Sequence, residues 1–484
     1  MKRNLLLYSL VLGALPLGAG GIFYNSNQSA EYFRTFDRNS AIDNADIVYY
    51  NMAGTVKLGQ GWTFNLSNQS IFQKATVETK GNPVVGDRTY TSNNPVLLVP
   101  NLYAAYRTGD WAFFSGIETI GATAVRDWKN GLPTLDLYGK QMAGYGGLKS
   151  NLIGMDAAAA SLASGHTLAQ AQAAGVAAGL SADYFTAQST LKGSSYYMAW
   201  RHGAAYRLND YVSLALAGRL VTARQDIVGR VDAACTYNQN GHDLRSQSLA
   251  IVDTTAKANG YSGEIGIDLF PSERVVMNLT YEDSTKLNFT TRVRDGKDGN
   301  GLFVDGQQGH LDLPKVLRFG LGVQVTPDLR ASVGANRYFE GSVDFSMLNN
   351  PANHNDYTKD YKDTTEESAA LEYRLSAPWL LSFGVNFNQI GQKKASTIDT
   401  SIPGAHANYV SIGAGFQYTA NDQWKFNLGV GHTRFTSTYE NADVQGDQAL
   451  QAAFQTQGVA INPRKAYDKQ YLIVAFGVNY RFAK

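Results

Sequence analysis

One cysteine, Cys235, stands in 484 residues. A lone thiol excludes an intramolecular disulfide and any thiolate cluster around a metal. Charge is scarce too: Asp, Glu, Lys and Arg make up 17% of the chain and balance to a net charge of +1. With no basic surplus to neutralise phosphates, nucleic acid is excluded as a partner. Past the N-terminus there is no apolar run long enough to cross a bilayer as a helix. Catalytic signatures are missing as well. None of the seven histidines lies in an H-E-x-x-H, and there is no G-x-S-x-G. His202 and Glu264 read as inward or near-inward positions, but no nucleophile stands beside them. The stretch Asp295-Gly296-Lys297-Asp298-Gly299-Asn300-Gly301 lacks EF-hand spacing and the distal Glu, so it reads as a solvated loop tip. No enzyme activity, cofactor or metal is expected.

What the chain does have is 48 glycines, 28 tyrosines and 22 phenylalanines. The final strand sets the pattern. Along Tyr471–Phe482, Leu472, Val474, Phe476, Val478, Tyr480 and Phe482 share one face, and Ala475, Gly477, Asn479 and Arg481 share the other, with Ile473 as its apolar exception. Elsewhere Leu317, Phe319, Leu321, Val323 and Val325 alternate with Arg318, Gly320, Gly322 and Gln324. A soluble sandwich would place Lys and Glu on the face away from its core. Here that second face is glycine and amide, which suits an outer surface in lipid and an inner surface around a filled or wet lumen.

Lys2 and Arg3, the apolar segment Leu5 to Leu17 and the small residues Leu17-Gly18-Ala19 read as a signal peptide over 1–19, so the mature chain is exported. Residues 20–58 lack period-two patterning but carry many aromatics, as a plug would. Strands are expected near 61–76, 96–107, 110–122, 194–208, 210–230, 245–269, 273–294, 311–326, 328–345, 364–377, 379–393, 406–420, 422–437 and 470–482. Tight turns such as Thr108-Gly109-Asp110 and Ala420-Asn421-Asp422 alternate strictly with long connections. Short turns on one side, long loops on the other and an even strand number define an outer-membrane barrel. The expected fold is therefore an all-β, antiparallel transmembrane barrel of about fourteen strands over 59–484. The longest loop, 123–193, holds an Ala-rich helical stretch from Met155 to Ser181. Pro100 cannot donate to a ladder, so in a closed barrel it marks a rim or a break in pairing between the second and third strands. Gly116 and Gly121 lie in that third strand, where glycine marks a bulge, a kink or simple packing.

With these features the sequence resembles the long-chain fatty acid transporter family of outer-membrane proteins, which includes aromatic-hydrocarbon channels. The resemblance rests on Asn51-Met52-Ala53-Gly54 closing the leader, Val99-Pro100-Asn101, Leu313-Pro314 with Val325-Thr326-Pro327, and the closing Phe476–Phe482. It implies a fourteen-stranded barrel with an N-terminal hatch, acting as a monomer in the outer membrane of a Gram-negative bacterium, among lipid and lipopolysaccharide. It further implies passive transport of hydrophobic small molecules, fatty acids or aromatic hydrocarbons. They are caught at the extracellular loops and leave sideways past a kinked third strand. The family's Asn-Pro-Ala hatch motif falls on Asn51, Met52 and Ala53, with Met in place of Pro. The kink falls near Gly121. Phe33, Phe36 and Tyr49 are candidate lining residues of the hatch. A polar-solute porin remains the main rival, because Arg201, Arg207, Glu264, Asp268 and Arg318 either ring a wet channel or clamp the plug. An adhesive or receptor barrel is the other.

Overall fold

A computed structural model describes residues 24–348, 362–391, 408–435, 445–446, 451 and 454–482. The signal peptide reading falls on 1–19, outside the described residues. Fourteen staves form the wall. They are β1 (Gly61–Lys80), β2 (Val96–Thr108), β3 (Trp111–Trp128), β4 (Phe185–Arg207), β5 (Val212–Cys235) and β6 (Ser246–Ser272). β7 comes in two pieces, Val275–Glu282 and Asn288–Asp298, as does β8, Gln308–His310 and Val316–Gln324. The rest are β9 (Leu329–Tyr338), β10 (Thr364–Arg374), β11 (Trp379–Gln389), β12 (Tyr409–Thr419), β13 (Trp424–Phe435) and β14 (Arg464–Arg481). Each pairs antiparallel with its neighbours in sequence, and β14 returns to β1 with Thr63–Lys80 against Arg464–Arg481, so the sheet closes. Closure leaves no strand edge facing hydrocarbon, where an unpaired backbone group costs several kcal/mol.

The outward face is set by alternation. Leu472, Val474 and Phe476 of β14 are exposed, whereas Ile473 and Ala475 are buried. Near the short turns, four Trp–Tyr pairs sit directly opposite one another on adjacent staves. They are Trp62–Tyr106, Trp111–Tyr206, Trp379–Tyr418 and Trp424–Tyr480, with ring centroids 4.5–4.9 Å apart. These are the interfacial aromatics of the periplasmic side.

The staves are unequal. β9 to β13 have 10–12 residues, about what a tilted strand needs to span, while β4 to β6 have 23–27. The long staves rise above the bilayer, and there the alternation changes sign. Arg224, Asp226, Arg230 and Asp232 occupy the outer face of β5, while Ile227 and Val231 turn inward and are buried. This corrects the expected ends of the third and fourth strands. β3 continues to Trp128 and β4 begins at Phe185, so the loop shrinks to 129–184. The same two-residue period persists, with water replacing lipid outside.

That loop folds as α3 (Pro133–Ala143), α4 (Leu148–Ala163) and α5 (Leu168–Leu180). α3 lay outside the expected helical stretch, although Pro133 at its first turn and Gly144 at its left-handed C-cap (φ 113°) mark both ends. Ahead of the barrel, α1 (Ala30–Thr35) and α2 (Ile47–Tyr50) lead into a 3-10 helix, Met52–Lys57. Residues 24–58 are almost entirely buried within the lumen.

The inward glycines make room for this segment. A Cβ on Gly429 of β13 would lie 2.7 Å from the Ala30 carbonyl oxygen and 2.8 Å from the Arg34 amide nitrogen. A Gly429→Val substitution is therefore expected to destabilise the folded barrel by about 1–3 kcal/mol through overpacking. The readouts are a lower urea midpoint and protease-accessible 24–58, with the barrel's heat-modifiable mobility retained.

Candidate functional site

The leading segment is fastened to the wall by buried polar groups. Ser29 caps α1 by accepting from the Tyr32 amide at 3.0 Å, which fixes the helix entry. Glu31, fully buried, then accepts amide hydrogens from Asn65 of β1, Asn427 of β13 and Asn479 of β14 at 2.6–2.9 Å. It straddles the seam where the barrel closes. Arg34 bonds Glu372 and Asn427, and Tyr32 donates to Glu366 at 3.0 Å.

On the opposite wall, three arginines and three glutamates form one buried cluster. Arg201 lies between Glu118, 2.8 Å from Nε, and Glu264. Glu282 takes Arg219 at 2.5 Å and Arg318 at 2.8 Å. Two tyrosines of the leading segment complete it. Tyr24 donates to Glu282 and accepts from Arg219 (2.7 Å) and Arg318 (2.9 Å). Tyr49 lies between the guanidinium groups of Arg201 and Arg318, each 5.0 Å from its ring centre. Burial pushes the Tyr24 phenol up to about 12, so it stays a neutral donor. Arg201, Glu264 and Arg318 thus hold the leading segment rather than ring a channel. Asp268 does likewise, accepting from Asn51 at 2.8 Å. Arg207 is instead at the periplasmic rim, paired with Asp110.

His202 corrects the reading of a shared inward face with Glu264. It points outward, its ring 4.3 Å from that of Trp200, while Glu264 is fully buried on the inside. Strand alternation separates them: both numbers are even, but the two staves run antiparallel with independent phases.

The candidate residues of the leading segment divide into two groups. Phe33 and Phe36 pack edge to face at 5.7 Å against the inward glycines of β13, with Phe36 2.9 Å from a Cβ position on Gly431. With Tyr49 they belong to the buried apolar cluster that continues upward through Tyr409, Phe435 and Tyr471. Asn51, Met52 and Ala53 are at the periplasmic floor. Asn51 caps the 3-10 helix and accepts from the Gly54 amide, Met52 packs on Gly266, and the Ala53 carbonyl accepts from Ser213. They anchor the segment at its end, where Met52 and Ala53 form part of the same buried apolar cluster.

Pro100, Gly116 and Gly121 come together at a defect in the wall. The β2–β3 ladder runs from Thr108–Trp111 only as far as Leu102–Ile117. Beyond it β3 bulges: Thr119 faces Met198 of β4, but Ala124 faces Ser195, so β3 carries two extra residues around Gly121. Four consecutive residues, Glu118 to Gly121, are buried, which breaks the alternation. Pro100 sits at the break in pairing rather than at a rim. Its carbonyl accepts from Thr119 Oγ1 at 3.3 Å, on the side facing β3, where its ring nitrogen has no hydrogen to lose. Gly116 is at the lower edge, where a Cβ would meet the Tyr103 ring at 2.8 Å. Above the gap the wall resumes, with Gln73 Nε2 donating to the Val125 carbonyl (2.9 Å) and the Asp127 amide to Ser92 (3.1 Å).

The stranded backbone of this window is satisfied from inside. Gln28 Nε2 donates to the Thr119 carbonyl and the Asn25 amide to the Ile120 carbonyl, both at 2.8 Å, and Asn101 Oδ1 accepts from the Thr119 amide at 3.0 Å. On the lipid side Leu97 and Leu98 are exposed. Sequence reasoning missed Asn25, Gln28, Asn101 and Thr119. The legible signals were Asn101 following Pro100 and the lost alternation at 118–121.

Comparison with known proteins places this architecture. The family described as "Outer membrane protein transport protein (OMPP1/FadL/TodX)" matches residues 159–482, well over half of the chain. The chain belongs to this family. Its members are outer-membrane transport proteins rather than enzymes, which sets the location as the outer membrane of a Gram-negative bacterium. Among solved structures it is similar to a Pseudomonas aeruginosa FadL homologue, with 12% identity, TM-score 0.57, and coverage of 95% of this chain and 100% of that one. It is also similar to the P. putida toluene transporter TodX (12%, TM-score 0.53, 92% and 97% covered). The Ralstonia pickettii toluene transporter TbuX is a third (13%, TM-score 0.52, 93% and 99%). At these identities the likeness establishes the fold. No curated protein matches.

The buried cluster gives a direct test of how the leading segment is held. Glu282→Gln leaves Arg219 and Arg318 short of their counter-charge, and is expected to cost about 3–5 kcal/mol. Urea unfolding followed by tryptophan fluorescence measures it.

Proposed function

We propose that this protein carries hydrophobic compounds passively across the outer membrane, as a monomer, taking them up at the extracellular loops and releasing them through the wall between β2 and β3. The observation that carries the reading is the combination of a filled bore with a broken ladder. Residues 24–58 close the lumen, and the wall is unpaired above Leu102–Ile117 where exposed Leu97 and Leu98 meet lipid.

Residues 20–58 act as the hatch. Apolar clusters support a route down to it from outside. One lies at the loop helices, with Tyr145, Ile153 and Phe185; one below it, with Trp128, Leu135, Tyr138 and Phe303; and the third surrounds the hatch aromatics. Leu148, Met155 and Leu162 form an exposed stripe at seven-residue spacing on α4, suited to first capture from water. Each step keeps apolar surface out of water, at about 25 cal/mol per Å². Exit requires the Asn25–Gln28 segment to release the Thr119 and Ile120 carbonyls. The toluene transporters among its structural relatives and the fatty acid branch of the resemblance both fit a hydrophobic cargo of this kind.

Asn101→Cys combined with Thr119→Cys places two thiols across the window, with the native Cys235 buried elsewhere. Oxidation is expected to slow uptake of a radiolabelled hydrophobic probe by cells at least tenfold, and reduction to restore it. Uptake by the oxidised variant at the wild-type rate would refute lateral release. A steady ohmic conductance in planar bilayers would point to the polar porin instead.

A further inference from the structure

Above the lipid belt, cations gather on one side of the outer wall. On β5 and β6 the outward apolar residues Leu216, Leu220, Ile265 and Tyr261 are exposed, and they end at the rung where Leu220 faces Tyr261. Past the polar rung Thr222–Asn259, Arg224 of β5 stands directly opposite Lys257 of β6, and Lys257 in turn faces Thr290 of β7. The next outward rung holds Asp226, Thr255 and Arg292, and Arg294 follows on β7. Arg224, Lys257, Arg292 and Arg294 are all exposed. By contrast, β11 and β12 carry no charged residue on either face.

The carboxylates of this patch hold its arginines in place. Asp226 accepts from Arg224 Nε at 2.7 Å, from Arg294 Nη2 at 3.2 Å and from the Thr255 hydroxyl at 2.6 Å. Asp253 pairs with Arg294 Nε at 2.9 Å, and Asp305 with Arg292 at 3.3 Å. Among the described residues no carboxylate pairs with Lys257. Like charges directly opposite each other on adjacent strands are destabilising, so stability alone disfavours Lys257 beside Arg224. An anion seated between them removes the repulsion, and at the edge of hydrocarbon its attraction is stronger than in bulk water.

The position says which anion. With the short turns on the periplasmic side, this patch stands at the outer border of the bilayer, where the outer leaflet changes from acyl chains to phosphorylated sugar. The cations extend over three adjacent staves, about 10 Å, which suits a head bearing two separate phosphates better than a single phosphodiester. We propose that Arg224, Lys257, Arg292 and Arg294 dock the phosphorylated sugar head of one lipopolysaccharide molecule, whose acyl chains lie along Leu216, Leu220 and Ile265. Arginine supplies paired donors to a phosphate and lysine a mobile point charge. The inference rests on the orientation of the barrel and is independent of what the protein transports.

The test uses the full-length barrel, freed of lipid in detergent and titrated with bisphosphorylated lipid A, monophosphorylated lipid A or phosphatidylglycerol, with bound lipid read by native mass spectrometry. Bisphosphorylated lipid A is expected to bind about tenfold more tightly than phosphatidylglycerol, with the monophosphorylated form between them. The double variant Arg224→Gln with Lys257→Gln is expected to bring that ratio close to one. Arg337→Gln, an exposed arginine of β9 outside the patch, is expected to leave it unchanged, with heat-modifiable mobility reporting folding of each variant. Equal binding of bisphosphorylated lipid A and phosphatidylglycerol by the wild-type protein overturns the site, as does an undiminished preference in the folded double variant. An equal loss in Arg337→Gln also overturns it, because diffuse surface charge would then account for the binding.

Discussion

A strand in hydrocarbon can send its N–H and C=O groups only to another strand, and this requirement shapes the whole molecule. It forces closure, with β14 laid along β1 for the full length of both. It also makes any gap in the ladder expensive. The gap between β2 and β3 persists because the protein meets the freed groups in other ways: a proline with no donor at Pro100, the Asn101 side chain, and the hatch residues Asn25 and Gln28. The hatch is therefore part of the wall as well as the stopper of the bore. Under the proposed lateral release, exchanging its hydrogen bonds at Thr119 and Ile120 would couple movement inside to opening at the side.

The hatch is held by buried polar contacts as well as by apolar packing. Glu31, Arg34 and the two tyrosines at 24 and 49 reach inward-facing asparagines, arginines and glutamates of the wall, and the inward glycines bring the backbones close enough for this. Buried ionic groups of this kind contribute little net stability against an apolar alternative, but they are strict about geometry. A hatch seated in this way has one register, and its aromatics continue into the apolar cluster above it.

Much of this was legible in the chain. Fourteen staves, their order and the short-turn side follow from alternation and loop parity, because each is a local pattern that repeats. The ends of β3 and β4 were misread for a physical reason. The expected strands stopped where greasy residues left the outer face, although Thr186, Gln188, Thr190 and Lys192 of β4 continue the same period in water. His202 and Glu264 were grouped because phase within each stave is readable, but which face of each is the inside is settled only by the neighbours.

The sequence by itself determined a closed β-barrel of this family with a plug-like leader, since lipid outside and a small-residue lumen inside impose a two-residue rhythm that no soluble fold of this composition needs. Only the tertiary structure decided where the ladder breaks and what satisfies the freed groups. A ladder that ends at Leu102–Ile117 and a glutamine from the leader on the Thr119 carbonyl each join residues far apart in the chain. Such meetings depend on register around a closed cylinder, which no local pattern encodes.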